Sequence, residues 1–313
     1  MNISWRLSVA VWLTAAMVIV TGCGPAGNTQ APMVTTPASP APAARPVPLP
    51  DRFPEVFPPA PEGARLLSTE VVEQALLSQD FRTELGTMVH TTVRYGHPRG
   101  GGSARVLAHY RAALPAAGWH IVADEPVDPD RDRPRPEAWP AHRLRVDGHG
   151  YHSIAVTIDY DAIATTRIRV SEGDQSRRPS THPPVVGLPD WYRQLPAPPE
   201  GSRRSQIRIT AGAGEPTRYL IEYSDAHLPD SRRDRAAALA GQYRHALPGA
   251  GWTIRREQDR TERDRSGGVI IRRSITLAIA GHGAVGEVHI GEVTSAAGQW
   301  LDATLAILIE TDR

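Results

Sequence analysis

Apolar residues recur at helical spacing in two stretches of this chain and alternate with polar ones through most of the remainder. Val106, Leu107, Tyr110, Leu114 and Ala117 share one helical face, and Leu239, Ala240, Tyr243, Leu247 and Ala250 repeat that spacing residue for residue. Each stripe predicts one amphipathic helix. Each ends at a glycine, Gly118 or Gly251, suited to the left-handed position that closes a helix, with Pro115 or Pro248 expected to kink or shorten the last turn. The tryptophan that follows, Trp119 or Trp252, is expected to fold back onto a sheet and to open strands over 119–122 and 252–255. Alternating runs precede the helices over 88–95 and 218–223, the latter with an earlier partner over 206–210. The matching first-half segment, 66–85, is longer, and its Val71, Val72, Ala75 and Leu76 suit a strand or a helix equally. After the helices, strands are expected over 142–147, 153–160 and 165–171, with counterparts over 273–280, 285–292 and 300–310.

The two halves are copies. Leu49-Pro50-Asp51 and Pro61-Glu62-Gly63 return as Leu188-Pro189-Asp190 and Pro199-Glu200-Gly201. The run from Tyr110 to Gly118-Trp119 returns from Tyr243 to Gly251-Trp252, and Gly148-His149-Gly150 returns as Gly281-His282-Gly283. A period this long indicates duplicated domains, because solenoid repeats run only about 20–50 residues. The expected division is a first repeat over 49–175, a linker over 176–187 rich in proline and arginine, and a second repeat over 188–313. The expected fold class is α+β, with each repeat packing one helix on its own mainly antiparallel sheet. His149 and His282, flanked by glycines, are expected in hairpin turns.

The N-terminal region follows a different pattern. A short polar start carrying Arg6 leads into apolar residues from Leu7 to Val20, then small residues and the only cysteine, Cys23. That apolar stretch is short for a membrane span, which needs roughly 20 residues. Val20-Thr21-Gly22-Cys23 resembles the bacterial lipobox, which implies a lipoprotein signal peptide over 1–22 and a diacylated Cys23 heading the mature chain. Residues 23–48 are mostly proline, alanine, threonine and glycine, a composition that buries too little surface to offset ordering entropy, and they read as a flexible tether. The implied location is the bacterial cell envelope, lipid-anchored with the domains outside the cytoplasm. Gly24 lacks the aspartate of the inner-membrane retention rule, so the anchor is expected in the outer membrane where the cell has one.

Composition removes several mechanisms. Every basic residue is arginine, so the Gly100-Gly101-Gly102-Ser103 run lacks the lysine of a phosphate-binding P-loop, and lysine Schiff bases are excluded. Ser103 is expected to cap the helix after it. With Cys23 acylated, no thiol remains for a disulfide, a thiolate metal site or catalysis. Basic and acidic residues nearly balance, at 35 and 34, and interleave along the chain, so no nucleic-acid partner is expected. No cofactor is expected either. Among 12 histidines, His142, His149 and His152 come nearest to a metal cluster, with His282 as the second-half counterpart of His149. Solvent-facing turn residues are the expectation for these, because metal sites need three or four converging ligands. Trp191, Tyr192, Trp139 and Trp300 have no clear partner in the other repeat and are candidates for a binding surface; the Trp191-Tyr192 pair suits an interface between domains equally.

The lipobox, tether and tandem modules together resemble bacterial lipoproteins that carry duplicated small α+β domains, and the layout is loosely similar to that of BamC of the outer-membrane assembly machinery. The signature Pro-Glu-Gly followed by Tyr-Arg-x-x-Leu-Pro-x-x-Gly-Trp is similar to that of uncharacterised secreted bacterial domains. The expected function is a non-enzymatic, membrane-tethered binding or scaffold protein whose partner is another envelope protein. A small-ligand or metal-binding lipoprotein comes next, and a cell-envelope hydrolase last. Replacing Cys23 by serine is expected to move the chain from the membrane to the soluble fraction with an unchanged circular dichroism spectrum; membrane partition equal to wild type would refute the anchor.

Overall fold

The described residues belong to one compact unit, Ala44–Arg313. The computed structural model describes residues 49–51, 53–77, 84–98, 102–127, 141–159, 165–174, 186–199, 202–224, 235–264, 270–295 and 300–311. The leader over 1–22, the tether over 23–48 with Cys23, Trp139 and the linker up to residue 185 lie outside these. No helix among the described residues is long and apolar enough to cross a membrane.

In chain order the first half contains β1 (Arg65–Leu77), β2 (Glu84–Gly96), α1 (Ser103–Ala116), β3 (His120–Val127), β4 (Ala141–Gly148), β5 (Tyr151–Asp159) and β6 (Thr165–Asp174). A short 3-10 helix at Asp190–Gln194 leads into β7 (Arg203–Gly212), β8 (Thr217–Ser224), α2 (Arg235–Gly249), β9 (Thr253–Asp264), β10 (Ile270–Gly281), β11 (Ala284–Ser295) and β12 (Trp300–Thr311). The ambiguous 66–85 segment is therefore strand where it is described. Its valines alternate between core and open face instead of forming one stripe.

The α+β expectation of two repeats with separate sheets is overturned. Among the described residues strand predominates, and their twelve strands form a single sheet in the order β3-β4-β5-β6-β2-β1-β7-β8-β12-β11-β10-β9. Every neighbouring pair is antiparallel. Strand order in one half mirrors that in the other, and the mirror line is the β1·β7 ladder, running from Ser68 opposite Gly212 to Gln74 opposite Gln206. Periodicity read within a half could not disclose this joint, because an unpaired edge and a paired one carry the same alternation.

Both helices lie on the same face of the sheet. Val106, Leu107, Tyr110 and Leu114 of α1 pack with Leu144, Val146, Ile154, Val156, Ile158 and Ile168 in one core. A second core gathers Leu239, Ala240, Tyr243 and Leu247 of α2 with Ile275, Leu277, Val288, Ile290, Ile307 and Ile309, and also draws in Val89 from the first half. The joint carries a buried ion pair on this face. Glu73 of β1 accepts from Arg204 Nη2 at 2.9 Å and from the Val186 backbone N–H at 3.1 Å, with only 4% and 10% of the two charged side chains exposed.

Two charges taken out of water are tolerable only as a pair, and removing one strands the other. Glu73→Ala is expected to lower the unfolding free energy by about 3–5 kcal/mol in urea titration. Glu73→Met combined with Arg204→Met is expected to restore most of it. Equal losses in the single and double variants would show that the pair is not the source.

Candidate functional site

The helix ends account for the paired histidines. In α1 the Gly118 N–H donates to the Pro115 carbonyl and the Trp119 N–H to the Leu114 carbonyl, both at 3.0 Å, the crossed pattern of a Schellman motif. In α2, Gly251 and Trp252 repeat it on Pro248 and Leu247. The glycines take φ of 82° and 81°. At the first helix start the cap is Gly102, with no side-chain hydrogen bond, and Ser103 is the first helical residue instead of the expected cap.

His149 and His282 complete these ends from the hairpin turns. Each has φ of 51° and is followed by a positive-φ glycine, Gly150 or Gly283, as a type I′ turn requires at both central positions. His149 Nε2 donates to the Ala117 carbonyl at 2.8 Å, and His282 Nε2 to the Ala250 carbonyl at 2.8 Å, satisfying oxygens left over at the helix ends. Their rings stand edge-on to Trp119 and Trp252, with centroids 4.9 and 5.2 Å apart. His142 sits apart from His149, at the other end of β4, where it bonds Asp124 at 2.5 Å. The Arg111 guanidinium, with help from His142, holds the Asp124 carboxyl down at about 2. The side chain of His152 lies outside the described residues. No group of three or more possible metal ligands occurs among the described residues.

The aromatic candidates are placed as follows. Trp191 is buried, edge-on to Tyr219 at 5.1 Å and near Trp252 at 6.5 Å, and Tyr192 packs against the same second core. In the first half that position over Trp119 is taken by Phe57. Trp300 begins β12, and its side chain lies outside the described residues, as does all of Trp139.

A broad concavity lies on the opposite face of the sheet, away from both helices. A trough of about 760 Å³ runs across six adjacent strands, β4-β5-β6-β2-β1-β7. The strand alternation that points Leu144, Ile168 and Val93 into the core points Arg143, Arg145, Arg167, Arg169 and Arg94 into this trough. Register makes them a cluster. Arg143 lies opposite Thr157, Thr157 opposite Arg167, and Arg167 opposite Arg94, while Arg145, Ala155 and Arg169 form the next row. Two small residues of β5, Ala155 and Thr157, thus form a floor walled by arginines on both sides. With strands about 4.8 Å apart, the walls stand roughly 10 Å from each other.

Among the described residues Arg94, Arg143, Arg145 and Arg169 have no carboxylate partner. Among the described lining residues the one carboxylate, Glu70, faces Arg208 at 3.4 Å. Like charges directly across a ladder are destabilising. Two of them about 7 Å apart repel by roughly 0.6–2 kcal/mol, depending on how much solvent screens them. At the edge of the cluster His90 bonds Ser171 Oγ through Nδ1 at 2.9 Å. Burial, assisted by the charge of Arg169, lowers its pKa to about 4. Sequence reading missed this site, although its signal was present as His-Arg-Leu-Arg-Val and Thr-Arg-Ile-Arg-Val, two runs that each put a pair of arginines on one strand face.

No family model and no curated protein matches the chain. Among solved structures it is similar to the tesB protein MAP1729c of Mycobacterium avium subspecies paratuberculosis, at 10% identity over 80% of each chain and a TM-score of 0.15. It is also similar to acyl-CoA thioesterase II TesB2 of Mycobacterium marinum, at 12% identity over 81% and 83% and a TM-score of 0.14. A hot dog fold protein of unknown function from Alicyclobacillus acidocaldarius aligns at 14% identity over 79% of each chain, with a TM-score of 0.15. One of these names is that of an acyl-CoA thioesterase, which runs against the expected non-enzymatic binding or scaffold role, and that expectation is withdrawn. TM-scores this low carry no argument for an activity in its place.

The depressed His90 has a measurable consequence. An unfolded chain protonates this ring near pH 6.5 while the folded one holds off to about 4, so stability is expected to fall as pH drops from 6.5 toward 4. His90→Gln should shallow that slope, and a ring titration near 6.5 in the folded protein by NMR would refute the assignment.

Proposed function

We propose that this chain acts through an anion-recognition site on the open face of its sheet, taking a ligand or substrate that carries phosphate, sulfate or carboxylate groups. The carrying observation is the arginine cluster around Ala155 and Thr157, in which like charges are held together with a floor low enough to admit a group between them. Guanidinium forks match the oxygens of such groups in paired hydrogen bonds. A bound anion also relieves repulsion among neighbouring guanidinium groups. The volume suits a ligand of small to moderate size, since binding sites run from about 300 to 1,000 Å³.

We further propose that the site is presented at a membrane surface in the cell envelope, through lipid on Cys23 and the tether over 23–48. The lipobox-like Val20-Thr21-Gly22-Cys23 and the proline-rich composition behind it support this location.

Isothermal titration with pyrophosphate as the probe tests the anion site. Saturable binding is expected, weakening as salt rises. Arg145→Ala combined with Arg169→Ala is expected to weaken it at least 30-fold while leaving the ligand-free protein equally stable or more so. Unchanged affinity in that double variant would remove the site from consideration.

A further inference from the structure

The trough is unlike at its two ends. The end over β4, β5 and β6 is strongly cationic. The far end, over β1 and β7, is lined by Ser68, Gln74, Gln206 and Thr210, all uncharged hydrogen-bonding side chains. Gln74 and Gln206 lie directly opposite each other across the β1·β7 ladder. With its amide oriented so that both of its ends are satisfied, the Gln206 oxygen accepts from Arg208 Nε and Nη2 at 3.1 Å and its NH2 turns toward acceptors. The charge of Arg208 is engaged with Glu70, so this end presents no strong net field.

Three ligand chemistries can be compared with that lining. A nucleobase wants an aromatic face to stack on, and among the described residues no Phe, Tyr or Trp lines the trough. An acyl chain wants a continuous apolar wall, yet among the described lining residues only Val72 and Ala155 are apolar. Hydroxyl groups both donate and accept, as do the glutamine amides, serines and threonines of the far end. From β6 across β2 and β1 to β7 is roughly 14 Å at about 4.8 Å per strand, which is longer than a single sugar ring.

We infer that the trough takes an anionic saccharide of at least two rings, with its phosphate, sulfate or carboxylate on the arginine end and its hydroxyls on the amides and hydroxyls of β1 and β7. This rests on the anion-site reading above. It assigns Gln74 and Gln206, one from each half of the duplication, as the residues that tell a sugar-linked anion from a free one. The joint between the halves is then part of the binding surface as well as of the scaffold.

Titration of the full chain with maltose 1-phosphate, lactose 1-phosphate, inorganic phosphate and maltose separates the possibilities. At least one disaccharide phosphate is expected to bind tenfold or more tightly than inorganic phosphate, with maltose alone weaker than either. Gln74→Ala combined with Gln206→Ala is expected to abolish that advantage and leave phosphate and pyrophosphate affinities unchanged, which also reports that the variant has folded. Equal affinities for both disaccharide phosphates and inorganic phosphate, with the glutamine variant silent, would overturn the saccharide inference while the anion site stands. Failure of every phosphate-bearing probe to bind would overturn the anion site itself.

Discussion

The β1·β7 ladder is the constraint on which the rest of this structure depends. Each half, folded alone, would expose one long edge strand with a row of unpaired backbone donors and acceptors, a template for unwanted association. Pairing the two edges removes both at once. Because the ladder is antiparallel and keeps Val71 opposite Ile209, it also puts both helix-bearing cores on one side of the sheet and leaves the other side continuous. Glu73 and Arg204 add a directional requirement on the core side, since two buried charges are satisfied only when these strands meet in this register. The outer edges need other protection. Edge strand β9 is exposed and dense in charge, and β3 carries Pro126, both ordinary means of discouraging strand addition.

The duplication has kept its scaffold and lost its symmetry of surface. Both halves retain the glycine-closed helix, the tryptophan behind it and the histidine that reaches back from a type I′ turn to the helix end. Both also retain an arginine on the helix bound to an acid on the following strand, Arg111 with Asp124 and Arg244 with Glu257. The open face differs. Where β4 carries Arg143 and Arg145, β10 carries Thr276 and Ala278, and where β6 carries Arg167 and Arg169, β12 carries Ala306 and Leu308. A face needed only for solubility has no reason to concentrate one sign of charge in one half. The asymmetry therefore separates what the fold requires from what the trough does.

A near-neutral chain can still build a strong local field. Interleaved charges cancel along the sequence, but a strand sorts its residues by parity, and neighbouring strands then stack one parity together. Five arginines converge in this way, and the carboxylate that lines the trough with them among the described residues is Glu70. Beside them His90 is kept neutral, first by burial and then by the charge of Arg169. Like charge gathered on one face of a folded protein lowers its stability, a cost commonly found where a ligand completes the arrangement.

Local features were legible in the residues alone. The stripe from Val106 to Ala117 announced a helix because 3.6-residue periodicity is a property of one segment, and Gly118, Gly251 and the glycine-flanked histidines announced helix ends and hairpin turns because backbone conformation is chosen residue by residue. The duplication was equally plain, being a matter of sequence matching itself. Whether 66–85 was strand or helix, whether two sheets or one resulted, and which arginines became neighbours were decided only by the tertiary structure. Alternation states that Arg143 and Arg145 share a face, and likewise Arg167 and Arg169, but it contains nothing about β4 and β6 flanking the small residues of β5. Strand order and register are set by long-range pairing, and the trough exists only once that pairing is made.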